Sequence, residues 1–299
     1  PREEKEVPLT DLILIDGHAL AYRAFFGVKR PLRSPEGVPV NGLYGFGRAL
    51  MAVVERSGAR EGAVVFDSPG PSFRKKLYPP YKANRPAPPE DFIPQLPLMM
   101  ELARCLGITV VTSLAFEADD LIAAAAVREA ERGKGVIIVT PDKDLFQTLG
   151  EGAITILRPA GGDSFTRVDA SSFREAFGFE PRHMAEYQAL MGDRTDNIPG
   201  VAGVGPVTAG RLVRCFGDLE SLYEGIRSVK GSLRDRLEKG REEAFLSREL
   251  ARLRLDAPVP EDLFLAEPDR EGSACFCEEK GLEELAWSCR AFSPCPTGW

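Results

Sequence analysis

Five short runs of apolar and β-branched residues recur along the first half of the chain, at Leu12–Ile15, Ala63–Phe66, Ile108–Val111, Val136–Val139 and Ile154–Leu157. They are near-continuous rather than alternating, so each predicts a strand covered on both faces. Between them lie stretches with helical spacing, over about 43–57, 92–106, 118–132 and 171–177. The last has Asp169 near its start and Gly178 just past its end, a good pair of caps. Strand alternating with helix predicts an α/β fold, a parallel sheet with right-handed crossovers.

After about residue 180 the strand pattern stops, and 182–192, 206–216, 218–228, 231–239 and 241–254 read as helices. The expected organisation is an α/β unit over 1–180, a helical region over 181–270 and a tail over 271–299 whose composition specifies no clear element. No repeat of 20–50 residues is evident. Two stretches break the pattern. Residues 68–91, "SPGPSFRKKLYPPYKANRPAPPED", hold seven prolines and are too long for a routine connection, which predicts a flexible functional loop. The Gly-rich "IPGVAGVGPVTAG" separates the first two helices of the second region.

Composition is that of a soluble protein with room for a well-buried core in 299 residues. No apolar run is long enough to span a bilayer, and the charged start "PREEKEVPLT" is no signal peptide, so no membrane partner and a cytoplasmic location are expected. The missing initiator Met suggests a processed or trimmed chain. Six cysteines are too few for a disulfide scaffold. Cys105 and Cys215 lie in apolar helical patterns and read as core, whereas Cys275, Cys277, Cys289 and Cys295 crowd the tail without zinc-ligand spacing. The net charge of −7 argues mildly against a nucleic-acid partner, but its distribution reverses that. Arg74, Lys75, Lys76, Lys82 and Arg85 fall between Ser72 and Arg85 with no acid among them.

The acids cluster elsewhere. The first strand runs into Asp16 and the second into Asp67; the third leads to Glu117, Asp119 and Asp120 in "EADD", and the fourth to Asp142 and Asp144 in "DKD". Ligands bind outside the carboxyl ends of strands in open parallel sheets, so four strands deliver seven carboxylates to one rim. Asp193 and Asp196 in "GDRTDN", three apart, add two more. Acids this dense cannot all stay ionised without cations. An all-oxygen donor set with no histidine in place suits Mg2+, or Mn2+, and the number of acids suits two ions acting on a phosphodiester. A lone Asp after a strand is usually a turn or cap residue, and Asp120 is the member best suited to capping. Lys82 and Arg85, at i,i+3, can share a face and donate to a phosphate. Tyr22 and Tyr81 can stack on bases. Phe25 and Phe26 read as core, His18 as a hydrogen-bonded structural residue and His183 as a helix start.

Taken in order, "LILIDGHALAYRAFF", "YKANR", "EADDLIA", "TPDKDLFQ" and "MGDRTDNIPGVAGVGPVTAGRL" resemble the 5′-nuclease domain of bacterial DNA polymerase I, in the flap-endonuclease family, over about 12–270. The resemblance implies a PIN-like nuclease core, a helical arch at 68–91 and a helix–hairpin–helix-like element at 198–210. It implies cleavage of 5′ flaps and 5′ ends of branched or nicked DNA, in replication and repair. One metal site would be Asp16, Asp67, Glu117 and Asp119, with Asp120 beside it; the other would be Asp142, Asp144, Asp193 and Asp196. Lys82 and Arg85 would act on the scissile phosphate. Arg74, Lys75, Lys76, Tyr22 and Tyr81 would contact DNA. So would Gly200, Gly203, Gly205 and Thr208 of the hairpin, which in this family also takes K+. A monomer is expected, with a polymerase as partner in cis or in trans. The chain departs from the family at Val207, where the pattern G-x-G-x-K-T-A has lysine. The competing readings are a non-catalytic DNA-binding module, which would need gaps in the acidic set, and a PIN-type ribonuclease.

Overall fold

The computed structural model describes residues 10–294 except 151 and 163. Its centre is a six-stranded sheet in the order β3-β2-β1-β4-β5-β6, from β1 (Leu12–Asp16), β2 (Glu61–Asp67), β3 (Thr109–Ser113), β4 (Gly135–Val139), β5 (Ala153–Gly161) and β6 (Ser164–Val168). The first five strands are parallel, and β6 pairs antiparallel with β5. The five apolar runs are thus the five parallel strands. β6 was not expected: its "SFTRV" is an exposed edge with little apolar signal, although the Gly161-Gly162 pair before it is a turn signal.

Successive side chains of a strand leave by opposite faces, and both faces here are covered. Leu12, Leu14, Ala63, Val65, Val136 and Ile138 pack under α5 (Ala118–Glu131). Ile13, Ile15, Val64, Phe66 and Val139 pack under α1 (Gly17–Gly27), α2 (Asn41–Ser57) and α4 (Gln95–Cys105). α3 (Phe73–Leu77) is a single short helix in the Pro-rich segment. α6 (Ala170–Phe177) has the expected caps: Asp169 accepts from Ser172 N at 2.8 Å, and Gly178 is left-handed at φ 75°.

The second region comprises α7 (Met184–Met191), α8 (Pro206–Phe216), α9 (Leu219–Glu224), α10 (Ser232–Lys239) and α11 (Arg241–Ala251). Val201, Val204, Ala209, Leu212, Leu237 and Ala244 join the core beneath α5, so this region and the sheet share one apolar cluster. Between α7 and α8 the chain folds back on itself, with Asp193 and Ile198 exchanging both backbone hydrogen bonds. Gly200 sits at φ 63° against Gly192, where a Cβ would lie 2.3 Å from the Gly192 nitrogen, so only glycine fits.

Within the tail, whose composition specified no clear element, residues 270–291 supply two helices. α12 (Arg270–Glu279) and α13 (Glu283–Ala291) form a hairpin, with Asp269 capping the first by accepting from Gly272 N. Cys277, Leu282, Leu285, Ala286, Cys289 and Phe292 are buried in the core beside α2 and α4. Small Ala and Cys residues on the buried face weakened the amphipathic signal. Cys215 and Cys275 are exposed and Cys105 half-buried, so Cys215 is not core; Phe26 is likewise exposed. Cys295 lies outside the described residues.

Candidate active site

The parallel strands end at one rim, and the acids that follow them, Asp16, Asp67, Asp119, Asp142 and Asp144, line an open cavity of about 540 Å³ together with Asp193 and Asp196 from the turn after α7. Lys82, Arg85, Lys143 and Arg158 line it too, so seven acids face four cations. A second cavity of about 430 Å³, bordered by Glu117, shares Asp67, Lys82 and Arg85 with the first.

Each acid is aimed by its own element. Asp16 ends β1 and caps α1, accepting from Ala19 N at 2.9 Å and from Thr140 Oγ1 at 2.9 Å. Asp67 ends β2 and accepts from Ala118 N at 2.7 Å. Its own N–H donates to His18 Nδ1 at 3.1 Å, and burial pushes that histidine's pKa down, consistent with a neutral structural role. Gln188 of α7 donates to Asp144 at 2.6 Å, and Thr195 N donates to Asp193 at 2.7 Å. Burial, reinforced by neighbouring acids, raises Asp16 to about 6 and Asp144 to about 8, and raises Asp119 well above the ordinary range.

The cations lie across the acids. Lys82 Nζ is 2.8 Å from Glu117 and 3.7 Å from Asp196; Arg85 is 2.5 Å from Asp196; Lys143 is 2.7 Å from Asp193. Burial opposes the charge on both Glu117 and Lys82, yet their attraction outweighs it: Glu117 is held below the usual carboxylate range and Lys82 above the usual lysine range. Among the described residues, Lys82 and Asn197 are the non-glycines with positive φ, 53° and 55°. They pin each other's segments, Lys82 N donating to Asp196 O at 2.9 Å and Asn197 Nδ2 to Pro80 O at 2.7 Å.

Several expected roles do not survive this geometry. Asp120 is fully buried, gripped on both oxygens by Arg74 at 2.7 Å and bonded to Arg254 N at 2.9 Å, so it holds the fold and faces no metal. Arg74 is correspondingly buried; its Nε donates to Leu250 O at 2.8 Å, which removes it from any DNA surface. Tyr81 is buried with its hydroxyl between Glu117 and Asp196, at 3.1 and 3.2 Å, and cannot stack on a base. Lys75 is bonded to Tyr81 O, whereas Lys76 is exposed. The Pro-rich segment is therefore anchored through Arg74 and Tyr81, and neither a loose loop nor one continuous helical arch. The Gly200 amide is committed to Ser247 Oγ at 2.9 Å, which removes it from phosphate binding. Gly203 and Gly205 are exposed, and Thr208 is half-buried. Tyr22 remains on the acid cavity, its ring 4.3 Å from Phe92. Lys143, Arg158, Thr140 and Gln188 were not singled out from sequence. Lys143 could have been, because it stands inside "DKD" itself.

Among the described residues no three acids, histidines or cysteines are drawn together tightly enough to cage a metal. The donor set nonetheless fits hard divalent ions: all oxygens, more acids than cations, and carboxyls on which burial, and then mutual repulsion, favours the protonated form.

Residues 11–178 match the family model of the 5′-3′ exonuclease N-terminal resolvase-like domain, and 179–271 that of the 5′-3′ exonuclease C-terminal SAM fold. The chain belongs to the 5′-3′ exonuclease family. It is 42% identical over 272 residues to the thermostable DNA polymerase I of Thermus thermophilus, which covers 91% of this chain. That stretch is 32% of the polymerase, so the chain spans about a third of the length of the curated relatives it matches. The T5 5′-exonuclease with zinc bound superposes with a TM-score of 0.67 at 20% identity, over 94% of this chain and 99% of that one. A T5 flap endonuclease complex with DNA and metal ions gives 0.65 at 19%, over 93% and 97%. These likenesses establish the PIN-like nuclease fold, and the family to which the chain belongs is that of the 5′-3′ exonucleases.

Proposed function

We propose that this 5′-3′ exonuclease domain hydrolyses phosphodiesters at 5′ flaps and at the 5′ ends of branched or nicked DNA, with two Mg2+ ions in the acid cavity. The observation that carries this reading is the convergence of Asp16, Asp67, Asp119, Asp142, Asp144, Asp193 and Asp196 on one cavity crossed by Lys82 and Arg85. Asp16, Asp67, Glu117 and Asp119 would hold one ion, and Asp142, Asp144, Asp193 and Asp196 the other, with Mn2+ as a substitute. Bound there, such ions supply Lewis acidity and an activated water.

The chain's own residues do the remaining work. Lys82 reaches toward one acid of each proposed set, Glu117 and Asp196, which supports a phosphate lying between them. Lys82 and Arg85 would exchange these carboxylates for the phosphate oxygens and stabilise the charge that grows there. Thr140, Ala118 N and Gln188 fix Asp16, Asp67 and Asp144 in advance, so little reorganisation is needed. The open hairpin at Gly203–Thr208 would meet the duplex, with K+ as its accompanying ion. The acting form would be a cytoplasmic monomer, joined to or served by a polymerase; no helix among the described residues is long and apolar enough to cross a membrane.

The test is incubation with a labelled 5′-flap duplex with and without Mg2+, mapping the cut, beside an RNA flap of the same sequence. A cut near the junction that needs Mg2+ supports the reading. No cut in any metal refutes it, and a cut confined to RNA favours the ribonuclease alternative.

A further inference from the structure

Cys277 of α12 and Cys289 of α13 stand twelve apart in sequence and meet across the hairpin, their sulfurs 3.8 Å apart. Both are fully buried. A single buried cysteine is a small hydrophobe. Two that touch between facing helices are also a dithiol. A disulfide is about 2.05 Å long, so the sulfurs need to close by less than about 2 Å. Ala274 and Ala286, buried in the same cluster, let the two helices lie close together.

The two sulfurs are not equivalent. Their shared hydrogen bond, the largest influence on each, pushes the Cys277 thiol up and draws the Cys289 thiol down. Cys289 is therefore the first to lose its proton and the better attacking sulfur. A third thiol stands nearby. Cys105 ends α4, is half-buried, and its carbonyl accepts from Asp269 N at 2.9 Å, directly before α12. Burial pushes its thiol up, so it is the poorer nucleophile. Cys215 and Cys275 are exposed.

We propose that Cys277 and Cys289 are a thiol–disulfide exchange site, at which a small-molecule disulfide joins α12 covalently to α13. Buried sulfurs exchange from a locally opened hairpin. The Cys289 thiolate attacks one sulfur of the small disulfide, whose S–S bond breaks and releases one thiolate. As the hairpin recloses, Cys277 attacks the mixed disulfide, forms the Cys277–Cys289 bond and expels the second thiolate. The two released thiolates take up the two protons that the cysteines lose. The protein pair is oxidised by two electrons and the small disulfide is reduced to two thiols. The crosslink closes a short loop in the unfolded chain and so favours the folded one. It would lock the hairpin that covers α2 and α4 whenever the surrounding thiol pool turns oxidising. The site is remote from the acid cavity and stands without the nuclease reading.

The experiment is incubation of the full chain with oxidised and reduced glutathione at graded ratios, with and without denaturant below the unfolding transition. Free thiols are then alkylated, the disulfides mapped by mass spectrometry of peptides, and melting followed before and after excess dithiothreitol. The expected result is a Cys277–Cys289 link, formed faster in the low denaturant. Melting should rise by about 5–10 °C and fall back on reduction. Cys277→Ala and Cys289→Ala should each abolish that oxidation-dependent rise. Should an alanine variant fail to fold, the parent's peptide map and its melting on reduction still decide. Both thiols remaining free in excess oxidised glutathione overturn the proposal. So does glutathione held on Cys289 beside a free Cys277, or a link from either residue to Cys105 instead. A Cys277–Cys289 link that leaves melting unchanged or lowers it refutes the lock.

Discussion

Lys82 stands where two demands meet. Its backbone is held at a positive φ of 53° by the bond to Asp196 O, and its ammonium lies between Glu117 and Asp196. A residue kept in a sparsely populated conformation at a site reports a requirement of that site. The pair Lys82 and Arg85 was legible from spacing and charge, but its present partners were not, because sequence does not say which carboxylate a cation meets. Lys82→Ala should lower the single-turnover rate at saturation by about 10²–10³, the scale of losing one donor to a developing charge, while flap affinity changes much less. If affinity collapses and the saturated rate stays, Lys82 is only an electrostatic anchor. Arg74 is the opposite case. Its basic neighbours marked it as a DNA contact, yet it is buried on Asp120, and nothing local in "SFRKK" separates it from Lys75 and Lys76. Arg74→Ala should destabilise the fold by about 3–5 kcal/mol in denaturant titration, because Asp120 is left buried without its counter-charge. Adding Asp120→Asn should recover part of that loss, since Asn keeps an acceptor for Arg254 N. A loss below about 1 kcal/mol would mean that water compensates the carboxylate.

At the scale of elements, what could be read was what two-sided burial or capping chemistry dictates. The five parallel strands announced themselves as apolar runs, and α6 announced both its ends. What escaped was governed by contacts distant in sequence. β6 exists because β5 offers it an edge, and α12 and α13 because α2 and α4 offer them a wall. The Pro-rich segment looked free because its two anchors, Arg74 and Tyr81, find their partners in α5, around Asp196 and at the end of α11. The α6 cap allows a test with a defined sign. The Ser172 amide, and less so its hydroxyl, hold Asp169 below the ordinary aspartate range. A depressed carboxyl adds stability that is present above the unfolded value and is lost as pH falls through the folded one. Asp169→Ala should therefore lower stability by about 1 kcal/mol at pH 7, the usual worth of such a cap. The gap from the parent should narrow steadily as the pH is taken from 5 toward 3. A gap independent of pH would assign the effect to helix propensity instead of the charged cap.

For the whole molecule, the decisive feature is that a two-faced sheet needs cover on both sides, and the cover comes from separated parts of the chain. Under α5 the helical region closes one face; beside α2 and α4 the α12–α13 hairpin closes the other. This arrangement holds the strand ends rigid while leaving their rim open for the acids. Residues 271–292, compositionally odd as sequence, thus support the site from behind without touching it. Leu282, Leu285 and Phe292 are each buried to within 3% of their surface. Burial of side chains this size is worth about 2–3 kcal/mol apiece, so removing the three forfeits about 6–9 kcal/mol, comparable to the whole stability of an ordinary domain. A chain ended after Asp269 should consequently be unfolded or aggregated at room temperature, bind a hydrophobic dye strongly and cut no flap DNA. A triple change of Leu282, Leu285 and Phe292 to Ala in the full chain should approach the same state without any truncation. Measured melting and dye binding separate this from a direct catalytic role: a shortened chain that melts like the parent but no longer cuts would place the hairpin in the chemistry. One that both melts and cuts like the parent would show that α2 and α4 tolerate an open face.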